Sequence, residues 1–138
     1  MKKFYWFIVS ILLIPLILIG CQSTVDDETP NDEISKVSLS NSNTIGQINT
    51  DFFTVYEDEE VLETFQNIFT SAVKQEGIVD IAEPEFDLEV IYKEGNKQEY
   101  HLWLGEKDEQ STLMQVEDTH TIYTISEEAT NQLIDLVN

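Results

Sequence analysis

Apolar residues of this 138-residue chain recur with two distinct periods once the first thirty or so positions are passed. A period of two marks strands. Val37 and Leu39 alternate with polar neighbours, as do Phe52, Thr54 and Tyr56 beyond a loop containing Gly46. Phe86, Leu88, Val90 and Tyr92 form a third run, and Tyr100, Leu102 and Leu104 a fourth. Two more cover Ser111 to Val116 and Thr119 to Ile125, joined at Glu117-Asp118. A spacing of three and four links Leu62, Phe65, Ile68, Phe69, Ala72 and Val73, which puts them on one side of a helix. The acidic cluster Glu57 to Glu60 precedes it, where exposed N–H groups favour negative charge, and Gly77 supplies a stop. Ser126, followed by Glu127-Glu128, opens a second helix with Ala129, Leu133, Leu136 and Val137 on one stripe. The order ββαββββα predicts an α+β fold, an antiparallel sheet of about six strands with two helices packed on one face.

Gly95-Asn96 marks a turn between the third and fourth runs. A two-residue loop there would oppose Leu88 to Trp103 and mix the faces. A three-residue loop, Gly95 to Lys97, pairs Tyr92 with Tyr100 and Val90 with Leu102, so an odd loop is expected. The other face of this hairpin carries Ile91, His101 and Trp103 beside Glu89 and Glu99. An exposed aromatic and imidazole group of this kind forms a possible binding surface. The alternative is that a helix or another strand covers part of it.

The N-terminus follows a different pattern. Lys2 and Lys3 precede an apolar run from Phe4 to Ile19, and Leu18-Ile19-Gly20-Cys21 closes it. A short positive start, an apolar core and a small residue before the exit are the parts of an export signal. The run is also short for a bilayer span of roughly 20 residues. The four residues resemble the lipobox of bacterial lipoproteins, which implies removal of residues 1–20 and acylation of the Cys21 thiol. Two acyl chains hold a protein on a membrane, at about 0.8 kcal/mol per buried CH2. An uncleaved anchor with Cys21 as bystander is the plainer alternative. Gln22 to Glu33 has too little apolar surface to order, so residues 21–33 read as a lipidated cysteine and a flexible acidic tether, and residues 34–138 as the folded domain.

Charge and chemistry narrow the function. With 27 acidic residues against 7 lysines and a net charge of −20, the surface repels phosphate backbones, which argues against nucleic acid as a partner. Cys21 is the single cysteine, so the domain has no disulfide, cysteine nucleophile or thiolate metal site. His101 and His120 lie in no HExxH or HxH spacing, no serine is flanked by elbow glycines, and the five glycines are isolated. The acidic stretches lack the spacing of a calcium loop. No cofactor, metal or catalytic residue is therefore expected.

The segments GIVDIAEPEFDLEVIY (Gly77 to Tyr92), YHLWLGEK (Tyr100 to Lys107) and STLMQVEDTHTIYTISEE (Ser111 to Glu128) resemble the YhfM-like lipoproteins of Bacillus-type bacteria. That resemblance implies a cell-membrane lipoprotein and brings no catalytic residues with it. The expectation is a non-catalytic accessory domain, lipid-anchored on the extracytoplasmic face, binding an envelope protein or a small ligand. The alternative is a small envelope enzyme acting on cell-wall glycan or peptide. Oligomeric state is left open.

Overall fold

The computed structural model describes residues 32–76 and 81–138. The expected signal segment, Cys21, the tether up to residue 31 and the Gly77 helix stop lie outside the described residues. Among the described residues, alternation of apolar side chains builds one antiparallel sheet of seven strands, in the order β2-β1-β4-β5-β6-β7-β3. Along the chain the elements are β1 (Ile34–Asn41), β2 (Thr54–Tyr56), α1 (Glu59–Ser71), β3 (Val73–Glu76), β4 (Phe86–Tyr92), β5 (Lys97–Trp103), β6 (Ser111–Gln115), β7 (Asp118–Ile125) and α2 (Glu127–Val137). The fold is α+β. Among the described residues no helix is long and apolar enough to cross a membrane.

Val37, Leu39, Leu88, Val90, Leu102, Leu113 and Ile125 share one core with Phe65, Ile68 and Phe69 of α1 and Leu133 of α2. Helices α1 and α2 therefore cover the same face. Phe65 is fully buried between Tyr56 and Phe69, at ring distances of 5.2 and 6.0 Å, and Phe69 stacks on Tyr100 at 5.5 Å. Burying one such ring contributes about 1.5–3 kcal/mol. The Tyr56 hydroxyl donates to the Leu136 carbonyl, which ties the edge strand β2 to the end of α2.

The helix starts follow the sequence. Asp58 caps α1, its Oδ1 accepting from the N–H groups of Glu60 and Val61 at 3.1 and 3.3 Å, so the acidic cluster serves the helix N-terminus. Ser126 caps α2 through the Ala129 N–H at 3.2 Å. The end of α1 differs from expectation. Ala72 is extended, with ψ 138°, and residues 73–76 form a seventh strand paired with β7. Val73 continues the helical spacing on paper, yet it is 58% exposed at the sheet edge.

The β4–β5 loop is odd, as parity demands, but comprises Lys93 to Gly95 rather than Gly95 to Lys97. The Tyr92 N–H donates to the Asn96 carbonyl and the Gly95 N–H to that of Tyr92, both at 2.9 Å. Gly95 has φ 95°, and a three-residue loop places its left-handed residue last, where glycine fits without strain. Every partner therefore moves by four residues, an even shift that keeps the faces intact: Leu88 faces Tyr100 and Asp87 faces His101. Glu89 now opposes Glu99, and the Lys97 ammonium sits 3.6 and 3.0 Å from their carboxylates. Its hydrogen bond and charge contact with Glu99, and then the charge of Glu89, raise the lysine above its ordinary value.

Candidate functional site

The positions off the apolar alternation build the second face of the sheet. Ser38 and Ser40 on β1, Asp87 on β4, His101 on β5 and Met114 on β6 all point away from the helices, and polar residues there are expected to meet water. They do not. Asp87, His101 and Ser40 are 0% exposed, and Ser38 and Met114 are buried as well.

The cover is the connection between β1 and β2. Residues 42–53 fold back over the sheet, bury Ile48, and direct two backbone amides at the polar pair beneath. The Gly46 N–H donates to His101 Nε2 at 2.9 Å, and the Asn49 N–H donates to Asp87 Oδ2 at 2.7 Å. His101 Nδ1 lies 2.7 Å from Asp87 Oδ1, and the Ser40 hydroxyl donates to the Asn49 carbonyl. A backbone N–H can only donate, so Nε2 carries the lone pair and Nδ1 carries the proton that points at Asp87. Gly46 has φ 92°, a left-handed conformation that glycine adopts freely.

This arrangement has one half of an acid–base site. A carboxylate orients an imidazole through Nδ1, as in hydrolytic triads, but the lone pair that would receive a substrate proton is occupied by the Gly46 amide. The pair pins backbone. In a buried place each of its polar atoms needs such a partner.

The three residues of the expected binding surface are distributed differently. His101 lies beneath the loop and not on the surface, and what covers it is neither a helix nor a strand. Trp103 is half-buried beside it, ring centroids 6.3 Å apart, with its indole N–H donating to the Ala82 carbonyl at 2.7 Å. Ile91 pairs with Lys97 at the other end of β4, about 13 Å from His101 by the rise of four strand residues. The register shift in the hairpin is what separates them. Asp87, Gly46 and Asn49 were not singled out by the sequence. The available signal was parity, since Asp87 and His101 sit off the apolar positions of adjacent runs, together with a long Gly46-containing connection. His120 is exposed near the start of β7 and takes no part. Its backbone N–H bonds Asp118, whose carboxyl is held below its ordinary value first by a hydrogen bond from Thr121 and then by this one.

A second concavity of about 600 Å3 opens where β1 begins beside α1. Glu57, Glu59 and Glu63 line one wall, Glu33 and Lys93 the other, and Leu62 and Ile34 contribute apolar surface. Lys93 is paired with Glu33, through its ammonium and through a backbone bond of 2.8 Å. Among the described residues no three His, Cys, Asp or Glu side chains converge as a metal site.

Among solved structures, a thioesterase-like protein from Clostridium sporogenes superposes with a TM-score of 0.59 at 19% identity, covering 74% of this chain and 92% of its own. At that identity the likeness is one of fold, and fold alone does not carry chemistry across. Among curated proteins none matches. The family model described as YhfM protein matches residues 30–138, a span that takes in every strand and helix above, and the chain accordingly belongs to the YhfM family.

Proposed function

We propose that this protein is a lipid-anchored accessory domain of the cell membrane, displayed on the extracytoplasmic face, which binds an envelope protein or a small ligand and carries out no catalysis itself. One observation supports the non-catalytic part most directly: the buried Asp87–His101 pair is saturated by the backbone of residues 46 and 49. For the anchor, support comes from the order of charged start, apolar run and Leu18-Ile19-Gly20-Cys21 in the sequence. For binding, it comes from the open acidic groove beside α1 and from Phe53 and Ile45, 49% and 43% exposed.

Metabolic palmitate labelling of the full chain and of Cys21→Ala, followed by surface crosslinking and mass spectrometry, tests both halves. The expected result is label on the parent chain, none on the variant, and a reproducible protein or ligand adduct. Failure of the parent to label refutes the anchor. Recovery of glycan fragments or of a processed peptide in place of an intact partner favours the envelope enzyme instead.

A further inference from the structure

We propose that residues 42–53 form a strap released by protons, latched to the sheet while His101 is neutral and freed when the ring takes its second proton, at Nε2. The latch is a single lone pair. His101 Nε2 accepts the Gly46 N–H at 2.9 Å, and a proton placed on Nε2 would set two N–H groups against each other in a site from which water is excluded. The opposite side of the ring behaves otherwise. Nδ1–H already donates to Asp87 Oδ1 at 2.7 Å, and that bond is the same whether or not Nε2 carries a proton. The conflict therefore falls on the strap and leaves the Asp87–His101 contact in place.

The surroundings of the ring add little that would reverse this. On β4, Asp87 faces it directly and Glu89 lies two residues further along the same face. On β5, Glu99 and Trp103 flank it, and Lys97 lies within ion-pair distance of both glutamates. β6 presents Met114, and the strap presents backbone, with Asp51 exposed. Glu83 and Glu85, in the segment leading into β4, are exposed as well.

Linkage gives the sign. The latched form holds no proton at Nε2, so acid favours the open form, and the opening constant rises about tenfold per pH unit once the open form is protonated. Opening uncovers an imidazolium–carboxylate pair with Ser38, Ser40 and the Trp103 edge beside it.

The experiment follows nitrogen shifts of His101 and amide hydrogen exchange of the full chain in detergent, across about pH 8 to 5, where an imidazole changes charge. Exchange is expressed as protection relative to each amide's intrinsic rate. At the upper end the proton is expected on Nδ1, with Gly46 protected. On acidification, Gly46 protection is expected to fall about tenfold per unit and to be lost by the midpoint of Nε2 protonation, while Val90 and Leu102 stay protected. His101→Gln offers an amide oxygen in place of Nε2 that does not titrate, and is expected to remove the pH dependence. Any of four outcomes overturns the proposal: a proton on Nε2 at pH 8, Gly46 protection that outlasts protonation, a His101 that stays neutral throughout, or simultaneous loss at Val90 and Leu102. So does an unchanged pH dependence in His101→Gln.

Discussion

The substitution Asp87→Asn removes one acceptor and adds one donor without changing the shape of the side chain. Two backbone donors, the N–H groups of Gly46 and Asn49, point inward from fixed positions. Between them the native chain of bonds closes only because the carboxylate accepts twice. An amide has a single oxygen, so whichever way the new side chain is turned, and whichever nitrogen of His101 holds the proton, one N–H is left facing another. A hydrogen bond to a charged group contributes about 1.5–3 kcal/mol, and a buried donor without a partner costs about 1–3. Relief from burying a carboxylate offsets part of this. The expected net loss is about 2–4 kcal/mol, against about 5–15 for a whole domain. With a urea slope of about 1–3 kcal/mol per molar, the unfolding midpoint drops by about 1–2 M. Urea denaturation of the full chain in detergent measures the loss, and amide exchange locates it at Gly46 and Asn49. A midpoint within about 0.3 M of the parent would refute the reasoning, as would a large loss that leaves both amides protected.

Two further outcomes are expected. Phe65→Ala empties a fully buried ring site flanked by Tyr56 and Phe69 and should lower stability by about 3–5 kcal/mol, whereas Phe53→Ala, at a ring 49% exposed, should cost less than about 1; equal losses in urea would place the core wrongly. Tyr100 is pushed well above the ordinary tyrosine value of 10.0, chiefly by burial, and Tyr92 is raised by the same cause. The folded state therefore holds these protons more tightly than the unfolded one, so their contribution is complete below 10.0 and declines above it. An ultraviolet titration should show these two phenolates appearing together with unfolding, and free ionisation near the ordinary value would contradict their burial.

Periodicity carried most of the architecture. Phe65, Ile68 and Phe69 recur at helical spacing because one side of α1 meets the sheet, and Asp58 and Ser126 announce their helices through local hydrogen bonds that need no tertiary information. The strand at residues 73–76 was hidden because Val73 also satisfies the helical spacing from Phe69. What decides its conformation is pairing with Thr124, far along the chain. The hairpin register turned on one glycine. Apolar pairing and turn geometry gave different answers for Gly95, and the left-handed backbone prevailed. The site was the least legible part. A polar face in alternation normally signals water, and nothing local says that Gly46 and Asn49 fold back to satisfy Asp87 and His101. Such a reversal is a property of the assembled sheet, visible once the connection is seen to lie over it.

The two outermost strands are the shortest in the sheet, three residues in β2 and four in β3. An open edge invites a neighbour to add its own strand, and the invitation grows with length. Here each border offers only a few rungs, with Lys74 set within one of them. Short borders of this kind leave an incoming strand little backbone to grip, so among the described residues neither rim is a long template for zipping copies together.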